Sequence, residues 1–129
     1  MKVKVSEATN RQLDYLVALT QGYTDLRQHT NSWGDTCLGM TTPNGKGWYG
    51  VYALMYTIDH ALTGPLIDKY KLSTSPEGAE SWCAYVYDRL FEDDGTDGWS
   101  TGPTRLIAAC RCIVTKHFGA EAEVPEDLT

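Results

Sequence analysis

Gly102-Pro103-Thr104-Arg105-Leu106-Ile107-Ala108-Ala109-Cys110-Arg111-Cys112-Ile113-Val114-Thr115-Lys116-His117-Phe118-Gly119 is the stretch on which the fold turns. A proline is tolerated where a helix begins, because the first backbone N–H groups have no partner inside the helix anyway. A glycine at the far end is the usual stop. Between them Leu106, Ile107, Cys110, Ile113, Val114, His117 and Phe118 recur at helical spacing and share one face. Arg105, Cys112, Thr115 and Lys116 fall on the other, so the spacing predicts an amphipathic helix laid on a core, with His117 among its buried residues.

Upstream, Thr9 and Gln12 have the spacing of a capping box, and Gly22 supplies a stop. Leu13, Leu16, Val17 and Thr20 then form one face of a first helix, with Arg11 and Asp14 opposite. Lys2 to Val5 alternates charged and apolar residues and reads as a short strand or arm. Residues 23–43 are weakly patterned and rich in turn residues, and Asn44-Gly45 is a hairpin signal. Trp48 to Tyr56 is aromatic and β-branched on both faces, which predicts a covered strand. Thr63-Gly64-Pro65 reads as a turn into a short helix from Leu66 to Tyr70 with proline leading it. Ser73 to Gly78 is expected to be a loop, and Trp82 to Leu90 alternates as a strand. Glu92 to Gly98 is an acidic turn that fails as a calcium loop, since Gly95 and Thr104 stand where ligands are needed. The acidic stretch 120–129 is expected to run over the surface.

These elements predict one α+β domain over residues 1–129, with a small antiparallel sheet packed against two main helices plus a short helix. Hydrophobic residues make up 42% of the chain, enough for a packed core. The net charge of −6 speaks against duplex nucleic acid as a partner, because phosphate neutralisation needs a basic face. No apolar signal segment precedes Ser6-Glu7 and no run is long enough to span a bilayer, so a cytoplasmic setting without membrane contact is expected. Cys37, Cys83, Cys110 and Cys112 are then free thiols with structural roles. They do not have zinc-site spacing, and neither a metal nor a cofactor is expected.

The C-terminal helix with Val124-Pro125-Glu126-Asp127-Leu128 resembles the signature of the NinX-like proteins of tailed phages. Met1-Lys2-Val3-Lys4-Val5-Ser6-Glu7, Asp59 with Gly64-Pro65-Leu66-Ile67, and Trp82-Cys83-Ala84 are similar to other parts of that family. His60 stands where the family carries tryptophan, and Arg105 where proline is common. The resemblance implies a phage-encoded accessory protein, expressed in the host cytoplasm, and implies no particular reaction.

Chemistry is sparse. His29, His60 and His117 are scattered, and none sits in a nucleophile–base frame. His60 beside Asp59 is the best candidate for a functional histidine. Four Trp and eight Tyr against two Phe favour binding, because these rings combine a large apolar body with a polar handle. Gly64-Pro65 and Gly102-Pro103-Thr104-Arg105 are expected to open helices whose free N–H groups suit an anion. Trp33, Trp48, Tyr49, Asp59, His60, Gly64, Trp99, Thr104 and Arg105 are therefore the candidate ligand-binding residues. The expected ligand is small, anionic and nucleotide-like (a cyclic ADP-ribose-type molecule or a cyclic nucleotide), captured uncleaved as a phage anti-defence sponge by a homo-oligomer that closes the pocket. The alternatives are a protein-interaction module with an aromatic patch, and an enzyme that degrades such a signal through His60 and Asp59.

Overall fold

The computed structural model describes residues 1–30, 32–86 and 99–128. The expected acidic turn at 92–98 and the end of the strand after Val86 lie outside them. In chain order the elements are β1 (Lys2–Lys4), α1 (Asn10–Thr20), β2 (Thr24–Thr30), β3 (Thr36–Thr41), β4 (Trp48–Gly50), α2 (His60–Lys69), β5 (Leu72–Gly78), β6 (Ser81–Val86), β7 (Trp99–Gly102), α3 (Arg105–Phe118) and β8 (Glu121–Glu123), with single 3-10 turns at Val5–Glu7 and Val51–Ala53. The class is α+β, with the strands divided among three antiparallel sheets ordered β1-β8, β2-β3-β4 and β5-β6-β7.

α3 lies at the centre, packed against α1 on one side and against β6 and β7 on another. That double contact buries more than the expected stripe: Ala108, Ala109 and Cys112 join Leu106, Ile107, Cys110, Ile113 and Val114 in the core. Cys112, expected to face away, is buried because α3 has neighbours on two sides. His117 departs the other way. It sits exposed at the last turn, its Nδ1–H donating to the Ile113 carbonyl at 3.0 Å and its ring edge-on to Tyr70 at 5.5 Å.

α1 begins as the sequence predicts. The Thr9 hydroxyl accepts from the Gln12 N–H, and the Gln12 side chain accepts from the Thr9 N–H at 2.9 Å. Gln12 is itself buried, and its amide donates to the Leu128 carbonyl at 3.1 Å. The C-terminal stretch consequently does not simply run over the surface. β8 pairs with β1, and Ala122, Val124 and Leu128 are buried, because a two-stranded ribbon needs an apolar face against the core.

Two segments expected to be loops are strands. β2 and β3 form a hairpin within 23–43, and β5 occupies Leu72–Gly78. Both are polar and mostly exposed at β2 and along the second half of β5, so the alternation that betrays a half-buried strand is weak there. The strand expected from Trp48 to Tyr56 shortens to β4 and lies at a sheet edge, uncovered.

α2 starts earlier than expected. Asp59 is its N-cap, accepting from the Ala61 N–H at 2.9 Å, and Gly64-Pro65 lies inside the helix. Proline there removes one N–H bond, and the loss falls at exposed Pro65 where water can serve the freed carbonyl. Gly64 has open space where a Cβ would stand and no positive φ. Gly64→Ala is therefore expected to raise stability by about 0.5–1 kcal/mol, read from the urea midpoint, since alanine restricts the unfolded chain and suits a helix. A loss would mean that the segment is a turn after all.

Candidate functional site

The meander β2-β3-β4 separates its residues by alternation into two faces. Arg27 pairs with Gly39, His29 with Cys37, and Thr41 with Trp48, so these residues share the outer face. Leu38 and Met40 turn inward and are buried in the core. On the outer face the Trp48 indole lies across the backbone of Gly39. A Cβ there would stand 1.8 Å from Trp48 Cζ2, so glycine is what lets the ring lie flat on the sheet. His29 packs on the same ring with centroids 4.7 Å apart.

Beside this indole is an open groove of about 530 Å³, lined by Asp25, Arg27, Thr41, Gly45, Lys46, Gly47 and Trp48. Its size falls in the range of small-molecule sites. The Asn44-Gly45 turn forms its floor-side rim. Thr42 and Asn44 brace that turn, the Asn44 Oδ1 accepting from the Lys46 N–H at 3.0 Å and the Thr42 Oγ1 from the Gly47 N–H at 3.0 Å. Neither Arg27 nor Lys46 has an ion-pair or hydrogen-bond partner for its charged group among the described residues. Two uncommitted cations beside a half-exposed indole can hold an anionic group and stack an aromatic one.

The candidate residues named from sequence do not gather in one place. Trp48 is in the groove. Tyr49 follows it on the strand and so points to the opposite face, edge-on to Tyr23 at 5.8 Å. Trp33 stands in the β2–β3 turn, 85% exposed, and Trp99 opens β7 in the other three-stranded sheet, paired with Tyr85. Asp59, His60 and Gly64 belong to α2. The Asp59 carboxylate is committed to its own helix start, which it also makes negative, and His60 is exposed beside it. Thr104 caps α3 by accepting from the Ile107 N–H at 3.2 Å, and Arg105 Nε donates to Thr74 Oγ1 at 2.9 Å. Each helix start thus has one N–H taken by its own cap, and Pro65 lies inside α2 rather than at its beginning, so Gly64-Pro65 does not open a helix as expected. Arg27, Lys46 and Asp25 are not among the residues the sequence points to, because the polar β2 segment carries no strand pattern and Asn44-Gly45 signals only a turn. The alternation of Arg27 and His29 was the one available signal.

Buried titratable groups lie elsewhere. Asp14, inside α1, accepts from the Thr57 N–H at 2.8 Å, and burial pushes its carboxyl up to about 6 against the hydrogen bonds from Thr57. Burial also raises Tyr56 and Cys110. Thr63 donates its hydroxyl to the Tyr56 carbonyl. This cluster is sealed in the core and ties the 54–59 connection to α1 through Asp14 and to α2 through Thr63. Among the described residues no group of histidine, cysteine and carboxylate side chains is arranged to hold a metal, and no helix is long and apolar enough to cross a membrane.

The model of one protein family, that of NinX of bacteriophage P22, matches residues 4–117 of the chain. Among curated proteins there is no match.

Proposed function

Because the chain belongs to the NinX family of bacteriophage P22, we propose that it is a phage accessory protein that captures a small, anionic, nucleotide-derived signal of host defence without cleaving it. The observation that carries this reading is the juxtaposition of the Trp48 indole with Arg27 and Lys46, whose cationic groups have no partner among the described residues, around one groove. Base stacking on an indole and phosphate contact with guanidinium and ammonium groups are complementary demands of a single nucleotide. The cations also suit a small anion in a chain whose net charge is −6, where a duplex would be repelled. Capture requires that most of the ligand be enclosed. The groove is open on one side, and a second copy of the chain closing it is the arrangement we propose, in the bacterial cytoplasm where such signals act.

The test is direct. The purified protein is incubated with cyclic ADP-ribose-type molecules and cyclic nucleotides, separated from free ligand, and heat-denatured. Intact ligand released on denaturation supports capture, and a new product overturns it in favour of an enzyme. Trp48→Ala is expected to weaken binding about tenfold, since stacking contributes on the order of 1–3 kcal/mol per base, measured at a temperature where its own unfolding curve shows the variant folded. Equal affinities of both proteins would remove Trp48 from the site.

A second reading, a protein-interaction module, is favoured by Trp33, which stands 85% exposed at a hairpin tip. Failure to retain any of the ligands, with loss of partner association in Trp33→Ala, would select it.

A further inference from the structure

We infer that the base read by this groove is guanine, and that Asp25 is the residue that reads it. The inference rests on the groove being a nucleotide site.

Asp25 lines the same groove as Arg27, Lys46 and Trp48. It falls in the β-bulge between Thr24 and Arg27, where it has no partner in the ladder, and its φ is 57°. Aspartate enters this left-handed region more readily than most residues, so the position suits it. Its carboxylate has no hydrogen-bond or ion-pair partner among the described residues and is not spent on neutralising the neighbouring cations. A carboxylate in an anion-binding groove is repelled by phosphate, so it must face a part of the ligand rich in donors. An ionised carboxylate only accepts, through two oxygens side by side.

Guanine alone among the common bases presents two adjacent donors, N1–H and the exocyclic amine, on one edge. Adenine and cytosine each pair one donor with a ring-nitrogen acceptor that a carboxylate repels, and uracil sets one N–H between two carbonyls. With the base stacked on Trp48 and the phosphate at Arg27 and Lys46, Asp25 supplies the complementary acceptors for the guanine edge.

Calorimetric titration of the full chain with guanosine 5′-monophosphate and adenosine 5′-monophosphate tests this. The guanine nucleotide is expected to bind about tenfold more tightly, the discrimination of one good bidentate contact. Asp25→Asn keeps a residue that tolerates the left-handed backbone, and it should bring the guanine nucleotide down to the adenine level. Its affinity for the adenine nucleotide should not fall, since the repulsion between carboxylate and phosphate is removed, and a native-like circular-dichroism spectrum reports that the variant is folded. Equal binding of the two nucleotides by the native chain, or a preference that survives Asp25→Asn, overturns the guanine assignment and leaves the groove a nucleotide site. No binding of either at millimolar concentration overturns both.

Discussion

Gly102→Ala is expected to lower the unfolding free energy by about 2–3 kcal/mol, in the upper range for overpacking a core. Gly102 ends β7 and pairs with Trp82, and α3 crosses directly over it. A Cβ at this position would meet the Ala108 nitrogen and Ile107 Cγ2, each at 2.9 Å, and the Ala108 Cα at 3.3 Å. Two of these three atoms belong to a helix backbone, which cannot rotate aside as a side chain would. The sheet and α3 must separate locally, and the separation spreads through Ala84 and Ala109, both fully buried. Gly78→Ala is the control, because nothing stands within 4 Å of its Cβ position, and it should stay within about 0.5 kcal/mol of the native chain. Urea midpoints for the two variants decide the matter. Similar values would mean that the helix and sheet are not in van der Waals contact at this point.

Asp14→Asn is the second large effect, and it has a pH signature. Asp14 binds its proton with a value of about 6 in the fold against the ordinary 3.8, chiefly because burial disfavours the charge. Between these values the folded chain holds a proton that the unfolded chain has released. Stability therefore falls as pH rises from about 4 through 6, and the cost at neutral pH amounts to about 2–3 kcal/mol. The asparagine amide retains an oxygen for the Thr57 N–H, which Asp14 Oδ1 accepts at 2.8 Å, and gains an N–H₂ that can donate to the Thr57 hydroxyl. The variant is then expected to be the more stable protein at pH 7.5 by about that amount, with the gap narrowing as pH falls and closing only below about pH 3.5, under the unfolded-state value of 3.8. Parallel stability curves over this range would show that the carboxyl is solvated and that the 54–59 connection is held by other means.

Asp14 also shows where sequence pattern stops being informative. Its position opposite Leu13, Leu16 and Val17 places it on the solvent face of an isolated helix, and only the arrival of the 54–59 segment covers it. The same reasoning applies to Cys112 on α3. Periodicity reports which face is most apolar, and it does not report how many neighbours a helix will have. The candidate site suffers more. Trp48 is a candidate on sequence grounds, as an indole just after a hairpin turn, but the sequence predicts it covered and only the structure leaves it half-exposed. Its companions are not candidates, because Arg27 lies twenty-one positions earlier in a strand too polar to declare itself.

What the residues determined unaided were the local events: the capping box at Thr9 and Gln12, the α3 stripe from Leu106 to Val114, the Asn44-Gly45 turn, and a composition that calls for a packed α+β core. These depend on interactions within a few positions of one another, and short-range sterics and hydrogen bonding settle them. Tertiary structure alone decided that Glu121–Glu123 pairs with the first strand, that the 54–59 segment covers Asp14, and that the Trp48 indole rests on Gly39 in a groove shared with Arg27 and Lys46. Those outcomes arise from contacts between residues far apart in the chain, whose free energy exists only once the chain has closed on itself.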